Sequence, residues 1–102
     1  MLPTIARFVT VLHRLTRDVR KLLVNGTVDR LLNVIIDVYE LKGVAQLGDV
    51  ENMLIEGLER YISSRDSSML EKALKEVEKI ENITRLAMFL ISQPDPDLFI
   101  AS

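Results

Sequence analysis

The chain contains no cysteine and no tryptophan, and its only histidine is His13. Without cysteine it cannot form disulfides, thiolate zinc sites or iron–sulfur clusters, and it has no cysteine nucleophile. A lone histidine needs carboxylates beside it to hold a metal, and none lies within reach along its own helix. The sequence also lacks a glycine-rich phosphate loop and the Glu-x-x-His ligand motif of di-iron bundles. We therefore predict no metal, no cofactor and no small-molecule ligand.

Long apolar runs are also absent. The longest uninterrupted run is Leu86–Ile91, far shorter than the roughly 20 residues that a membrane span requires. In the first quarter of the chain, cations are scattered among apolar residues, whereas a secretory signal keeps them ahead of an apolar block. A length of 102 residues fits one domain. We therefore expect a single cytoplasmic domain that makes no contact with a membrane.

Glycine and proline are scarce. Gly26, Gly43 and Gly48, together with the polar loop of residues 63–68, divide the chain into four segments, and Pro94 follows the last one. Within each segment apolar residues recur at steps of three and four, which is the helical period. The predicted helices span residues 4–24, 28–42, 50–63 and 69–92. Because short loops favour antiparallel neighbours, we predict an all-α fold, a compact antiparallel (up-down) four-helix bundle. The bundle occupies residues 1–93, and residues 94–102 form a short extended tail that contains Pro94 and Pro96.

The second predicted helix carries a broad apolar stripe that we expect to face the core. Its members are Val28, Leu31, Leu32, Ile35, Val38 and Tyr39. Asp37 lies opposite this stripe on the helical wheel, beside Arg30 and Asn33, so we predict a solvated carboxylate rather than an acid–base group. In the third helix Gly57 lies on the apolar face. Because a mid-helix glycine costs about 1 kcal/mol relative to alanine, we predict that a neighbouring helix approaches closely there.

The fourth predicted helix has more apolar residues than one core face needs. A seven-residue repeat from Leu70 to Ile91 marks its core face. The opposite side carries lysines and a glutamate in the first half and four apolar residues in the second half, namely Ile83, Leu86, Phe89 and Leu90. A helix that is apolar all round is buried on more than one side. Either the tail or the first helix covers these residues, or another protein does, most simply a second copy.

Our preferred prediction is a small non-enzymatic interaction or assembly module, because the sequence contains no strong catalytic motif. We expect it to form a homodimer, or to bind another protein, through the four apolar residues of the last helix. Leu98 and Phe99 of the tail would support this interface. Gln93, Pro96, Phe99 and Ile100 resemble the spacing of the sliding-clamp-binding motif, which implies that the tail could instead dock as a linear motif.

A nucleic-acid-binding module is the first alternative. Five cations of the first predicted helix fall within roughly 140° of arc, which suits contact with a phosphate backbone. They are Arg7, Arg14, Arg17, Arg20 and Lys21. The first 48 residues carry a net charge of +3 and the remainder −5. The low overall pI of 5.4 and the lack of aromatics between these cations disfavour this alternative.

A lower-ranked alternative concerns the histidine. The segment from Arg7 to His13, Arg-Phe-Val-Thr-Val-Leu-His, resembles the Arg-apolar-x(3–5)-His motif of HEPN domains. Those domains are helical bundles, often dimeric, and many are metal-independent ribonucleases. The resemblance implies that Arg7 binds phosphate and that His13 assists proton transfer.

Overall fold

Four helices connected by short loops make up the part of the chain that the structure describes. The structure is a computed structural model that describes residues 2–92, with side chains from Ile5 onward. The helices are α1 (Leu2–Val24), α2 (Val28–Val44), α3 (Asp49–Ser64) and α4 (Ser68–Ser92). No strand occurs within residues 2–92. The predicted all-α bundle is confirmed, and each predicted helix end lies within two residues of the observed one.

Local side-chain and backbone chemistry ends each helix. Thr27 caps α2 by accepting a hydrogen bond from the backbone N–H of Arg30. Gly48, with a positive φ of 57°, precedes α3 and takes its N-cap position. Arg65 stops α3 in the left-handed conformation, and the Asp66 carboxylate accepts hydrogen bonds from the Ser68 N–H and hydroxyl at the start of α4. These hydrogen bonds lower the pKa of Asp66.

The helices pack antiparallel in chain order, but not equally tightly. α1 packs along both α2 and α4, and α3 packs along α4, whereas α2 and α3 touch over a much smaller area. Side-chain pairs show the antiparallel register between α1 and α4, because His13 meets Glu81 while Arg20, further along α1, meets the earlier Glu78. The seam between α2 and α3 is therefore the open side of the bundle.

The core is built mainly from leucine and valine. In α1 it includes the predicted stripe residues Leu12, Leu15, Val19 and Leu22, each no more than 1% exposed. The other helices contribute Val34, Val38, Leu41, Leu54, Leu58, Tyr61, Leu70, Ala73 and Val77. Burying a side chain of this size contributes roughly 1.5–3 kcal/mol. This one cluster joins all four helices.

The predicted core face of α2 was wrong at four of its six residues, whereas Val38 is buried and Leu31 partly buried, as predicted. Val28, Leu32, Ile35 and Tyr39 are 69%, 50%, 38% and 79% exposed, whereas the buried apolar residues of this helix are Val34, Val38 and Leu41. At about 100° per residue, the apolar residues of α2 cover more than half of the helix circumference. One neighbouring helix cannot cover so wide an arc. Part of the apolar arc of α2, including its middle, therefore lies outside the core. Ile62 of α3 is also exposed, at 57%, beside this surface.

The predicted close approach at Gly57 is confirmed. A Cβ added there would lie 2.9 Å from the backbone nitrogen of Leu70, and rearranging a side chain cannot relieve this contact.

We expect Gly57→Ala to lower the free energy of unfolding by about 1–2 kcal/mol despite the higher helix propensity of alanine. Gly43→Ala is the matched control, because no atom lies within 4 Å of its Cβ position. It should stabilise the chain by about 0.5 kcal/mol, and urea unfolding of both variants compares them directly. Equal effects of the two substitutions would contradict the tight contact.

Candidate interaction surface

The C-terminal half of α4 presents a continuous apolar surface. Its members are Ile83, Leu86, Phe89, Leu90 and Ile91, which are 66%, 58%, 59%, 62% and 52% exposed. We call these five residues the α4 apolar segment. Four of them are the interface residues that the sequence analysis selected. Ile91 and Ala87 belong to the predicted core repeat, but both are exposed.

The antiparallel register explains why this segment lies outside the core. Gly57 of α3 meets Leu70 near the start of α4, so the start of α3 reaches only the middle of α4. Among the described residues, the beginning of α1 and the end of α2 lie beside α4 beyond Glu81. Ile5, Phe8, Val44 and Ala45 line a groove of about 340 Å³ together with Ile83, Thr84 and Ala87. α1 therefore contacts one edge of the segment and leaves Leu86, Phe89 and Leu90 exposed.

Charge is almost absent around the α4 apolar segment. Arg85 is the one charged residue between positions 82 and 92, and its Nε donates to Glu81 at 2.8 Å. A partner surface would therefore desolvate little charge on contact with this segment. Leu98 and Phe99, together with the tail residues Gln93, Pro96 and Ile100, lie outside the described residues.

A second apolar surface, which the sequence analysis assigned to the core, lies along α2 and α3. Between these helices runs a groove of about 250 Å³, lined by Ile35, Val38, Tyr39, Lys42, Ile55, Leu58, Glu59 and Ile62. We call it the α2–α3 groove. It follows from the small contact between the two helices, which leaves the apolar sides of both open. The width of the apolar arc on α2 was the signal in the sequence that one of its sides would remain uncovered.

The prediction that Asp37 is solvated was wrong. Asp37 is 3% exposed and Asp18 of α1 is 7% exposed, and the two carboxyl groups face each other between α1 and α2. Arg14 donates from Nε to Asp37 Oδ1 at 3.1 Å and from its guanidinium to Glu40. Asp37 Oδ2 accepts no hydrogen bond from any described residue. The helical wheel placed Asp37 correctly opposite the predicted stripe, but α1 covers that side of α2.

Burial is the main reason why the pKa of Asp37 rises from 3.8 to about 7. Hydrogen bonding to Asp18 and the negative charge of that group raise the pKa further, whereas Arg14 lowers it. A proton held between the two carboxyl groups satisfies Asp37 Oδ2 and removes one of two like charges. This pair therefore couples the α1–α2 contact to pH near neutrality.

Acidic partners accompany most of the cations that suggested nucleic-acid binding. Arg14 pairs with Asp37 and Glu40, Arg17 with Asp18 at 3.6 Å, and Arg20 with Glu78 at 2.7 Å. Lys21 lines a polar cleft between α1 and α2 that also contains Asp18 and Asp37. Arg7 is exposed about two helical turns before Arg14. Carboxylates of α1, α2 and α4 thus offset much of the positive charge of this face. The sequence analysis missed the partners of Arg14 and Arg20 because these pairs join different helices.

His13 has a carboxylate partner that its own helix does not provide. Its Nδ1 lies 3.1 Å from Glu81 Oε2 on α4, and the same oxygen accepts a hydrogen bond from Arg85. Burial raises the pKa of Glu81, but the hydrogen bonds from Arg85 and His13 outweigh this effect and lower it. Arg7 lies six positions before His13, about 120° around the helix. The two residues of the HEPN-like motif therefore project from different sides of α1.

No cluster of three or more His, Asp or Glu side chains suited to a metal occurs among the described residues. Within residues 2–92, no helix combines the length and apolarity needed to cross a membrane. Comparison with known proteins gives no match to a family model, to a curated protein or to a solved structure.

Proposed function

We propose that this protein is a small helical interaction module that self-associates through the α4 apolar segment. The observation that supports the proposal is the exposure of five large apolar side chains on adjacent turns of one helix. Scattered exposed apolar residues are normal on monomers, but a contiguous group is typical of an interaction site. A second copy is the simplest partner, because most soluble assemblies are symmetric homo-oligomers.

The size of the segment sets the expected strength of association. Each half-exposed side chain offers roughly 100 Å² of apolar area, so the segment offers on the order of 500 Å² per copy. Two such surfaces fall at the lower end of specific protein interfaces. The loss of translational and rotational freedom cancels a large part of the gain from burial. We therefore expect association that depends on concentration in the micromolar range.

Light scattering after size-exclusion chromatography tests the proposal over a range of concentrations. The wild type should increase in mass with concentration, and Leu86→Glu with Phe89→Glu should remain monomeric because two charges would be buried at the interface. Val28→Glu is the matched control, since Val28 is 69% exposed but lies on α2. It should behave as the wild type does. A wild type that is monomeric at every concentration would refute self-association.

The nucleic-acid-binding and HEPN-like alternatives stay predictions. The contact between His13 and Glu81 orients the imidazole, but Arg7 projects from a different side of α1, which disfavours the second of them. The acidic partners of Arg14, Arg17 and Arg20 disfavour the first. Neither alternative makes use of the α4 apolar segment, which is why self-association is preferred.

A further inference from the structure

The α2–α3 groove has the dimensions and the chemistry of a site for an apolar helix. Its walls span two helical turns on each side, from Ile35 to Lys42 on α2 and from Ile55 to Ile62 on α3. The lining is apolar apart from Lys42 and Glu59, which lie at its edges. Grooves of this type bind amphipathic helices through side chains at positions i, i+3 or i+4, and i+7.

The α4 apolar segment has this spacing. Ile83, Leu86 and Leu90 occupy positions i, i+3 and i+7 on the side of α4 that faces away from the core. They extend over two helical turns, the same length as the groove. We propose that the α4 apolar segment of one copy inserts into the α2–α3 groove of a second copy. This inference rests on the proposed self-association and identifies the surface that receives the segment.

Charge complementarity supports a second copy as the occupant. Lys79 precedes Ile83 by one turn on the same side of α4 and is 70% exposed, with its ammonium 3.6 Å from Glu76 of the same helix. Lys72 and Lys75, further towards the start of α4, are also exposed. On the groove, Glu59 is exposed at the α3 edge, whereas Lys42 is paired with Glu51 at 3.7 Å. An inserted α4 segment therefore brings the cation of Lys79 towards the edge that carries the Glu59 carboxylate.

The proposed contact is head-to-tail, because the inserting surface and the receiving surface are different parts of the chain. Such contacts form a closed ring when the rotation between copies closes, and an open chain when it does not. A symmetric contact between two α4 segments would instead stop at a dimer. The two arrangements respond differently to substitutions in the groove.

Complementation between two defective variants distinguishes them. Leu86→Glu removes the inserting surface, and Ile62→Lys removes the receiving surface by placing a cation opposite Lys79. Each variant alone should lose association by at least about 30-fold. An equimolar mixture should form a heterodimer of one copy of each, because one intact segment and one intact groove remain. Analytical ultracentrifugation of the two variants and of the mixture measures these masses.

Three controls keep the experiment decisive. Ile36→Lys changes a residue of α2 that is 52% exposed but does not line the groove, and it should associate as the wild type does. Circular dichroism and thermal unfolding should show that the exposed-site variants fold. Glu59→Lys should weaken association by roughly two- to fivefold, and adding Lys79→Glu should restore it.

Each outcome has one meaning. Association of Ile62→Lys equal to that of the wild type overturns the groove assignment while leaving self-association intact. Failure of the mixture to form a heterodimer overturns it as well. A wild type that never associates refutes the proposed function itself, and the groove assignment with it.

Discussion

Replacing Asp37 with asparagine should stabilise the protein at pH 8 by roughly 2 kcal/mol or more. At this pH the wild type must keep two carboxylates, those of Asp18 and Asp37, buried face to face. Asparagine retains an oxygen for the Arg14 hydrogen bond. It also places an N–H₂ donor where Asp37 Oδ2 lacks a hydrogen bond, so the amide can donate to Asp18. A buried like-charge contact is thereby replaced by a hydrogen bond.

The same group determines how stability depends on pH. Its pKa is about 7 in the folded chain against an ordinary value of 3.8, so between these values the folded state binds more protons than the unfolded state. The free energy of unfolding should therefore fall as the pH rises from about 4 through 7, and this contribution should be constant above about 8. The pKa difference corresponds to at most about 4 kcal/mol.

Urea unfolding at pH 5, 6, 7 and 8 measures this contribution. The Asp37→Asn variant should lose most of the decline that the wild type shows over this range, so the stability difference between the two should grow with pH. Glu59→Gln is the matched control, because Glu59 is an exposed carboxylate, and it should leave the profile unchanged. A variant that is less stable than the wild type at pH 8 would show that the buried charge stabilises the fold.

The four helices could be predicted from the sequence because each depends on local information. The spacing of apolar residues set their extent, and Gly48, Thr27 and the polar loop before Ser68 set their ends. The tight contact at Gly57 was also predictable, because an unfavourable residue in a helix needs a reason. These features depend on residues that lie close together in the sequence, so the sequence alone is enough to predict them.

The orientation of α2 could not be predicted in the same way. Its apolar arc was visible in the sequence, but which part of the arc faces the core depends on how α1 and α3 pack. Tyr39 and Val34 lie about 140° apart around the helix, and one is 79% exposed whereas the other is fully buried. The burial of Asp37 depends on the same packing. Surplus apolar residues on a helix therefore predict an additional surface better than they predict a core face.

The α4 apolar segment could be predicted from the sequence only in part. The excess of apolar residues near Leu86 was evident from the sequence, and in the structure α3 is too short to cover them. Their role as an interface stays a prediction, since a partner surface is information that one chain does not carry. The pairing of His13 with Glu81 was not foreseeable because the two residues are 68 positions apart.

Replacing Arg14 with methionine should lower the free energy of unfolding by about 3 kcal/mol at pH 8. Arg14 is the cation that contacts both Asp37 and Glu40, and the Asp37 side chain is only 4% exposed. Without the guanidinium, the buried Asp37 carboxylate would lose the cation that contacts it while still facing Asp18. Methionine preserves most of the apolar stem of the arginine, so the loss reports mainly on charge.

The cost of Arg14→Met should depend on pH and on its partner. At pH 5 Asp37 is largely protonated, so the cost should fall to about 1 kcal/mol, the value of a neutral hydrogen bond. In the Asp37→Asn background the cost of Arg14→Met should be similarly small at every pH, because the buried charge is already gone.

Arg17→Met is the control, since Arg17 is 54% exposed and lies 3.6 Å from Asp18. Urea unfolding of the four variants provides the comparison, and equal, pH-independent costs at Arg14 and Arg17 would contradict the role assigned to Arg14. Because Arg14 is the cation that contacts the buried Asp37 carboxylate, its removal should raise the cost of keeping that group charged within the α1–α2 contact.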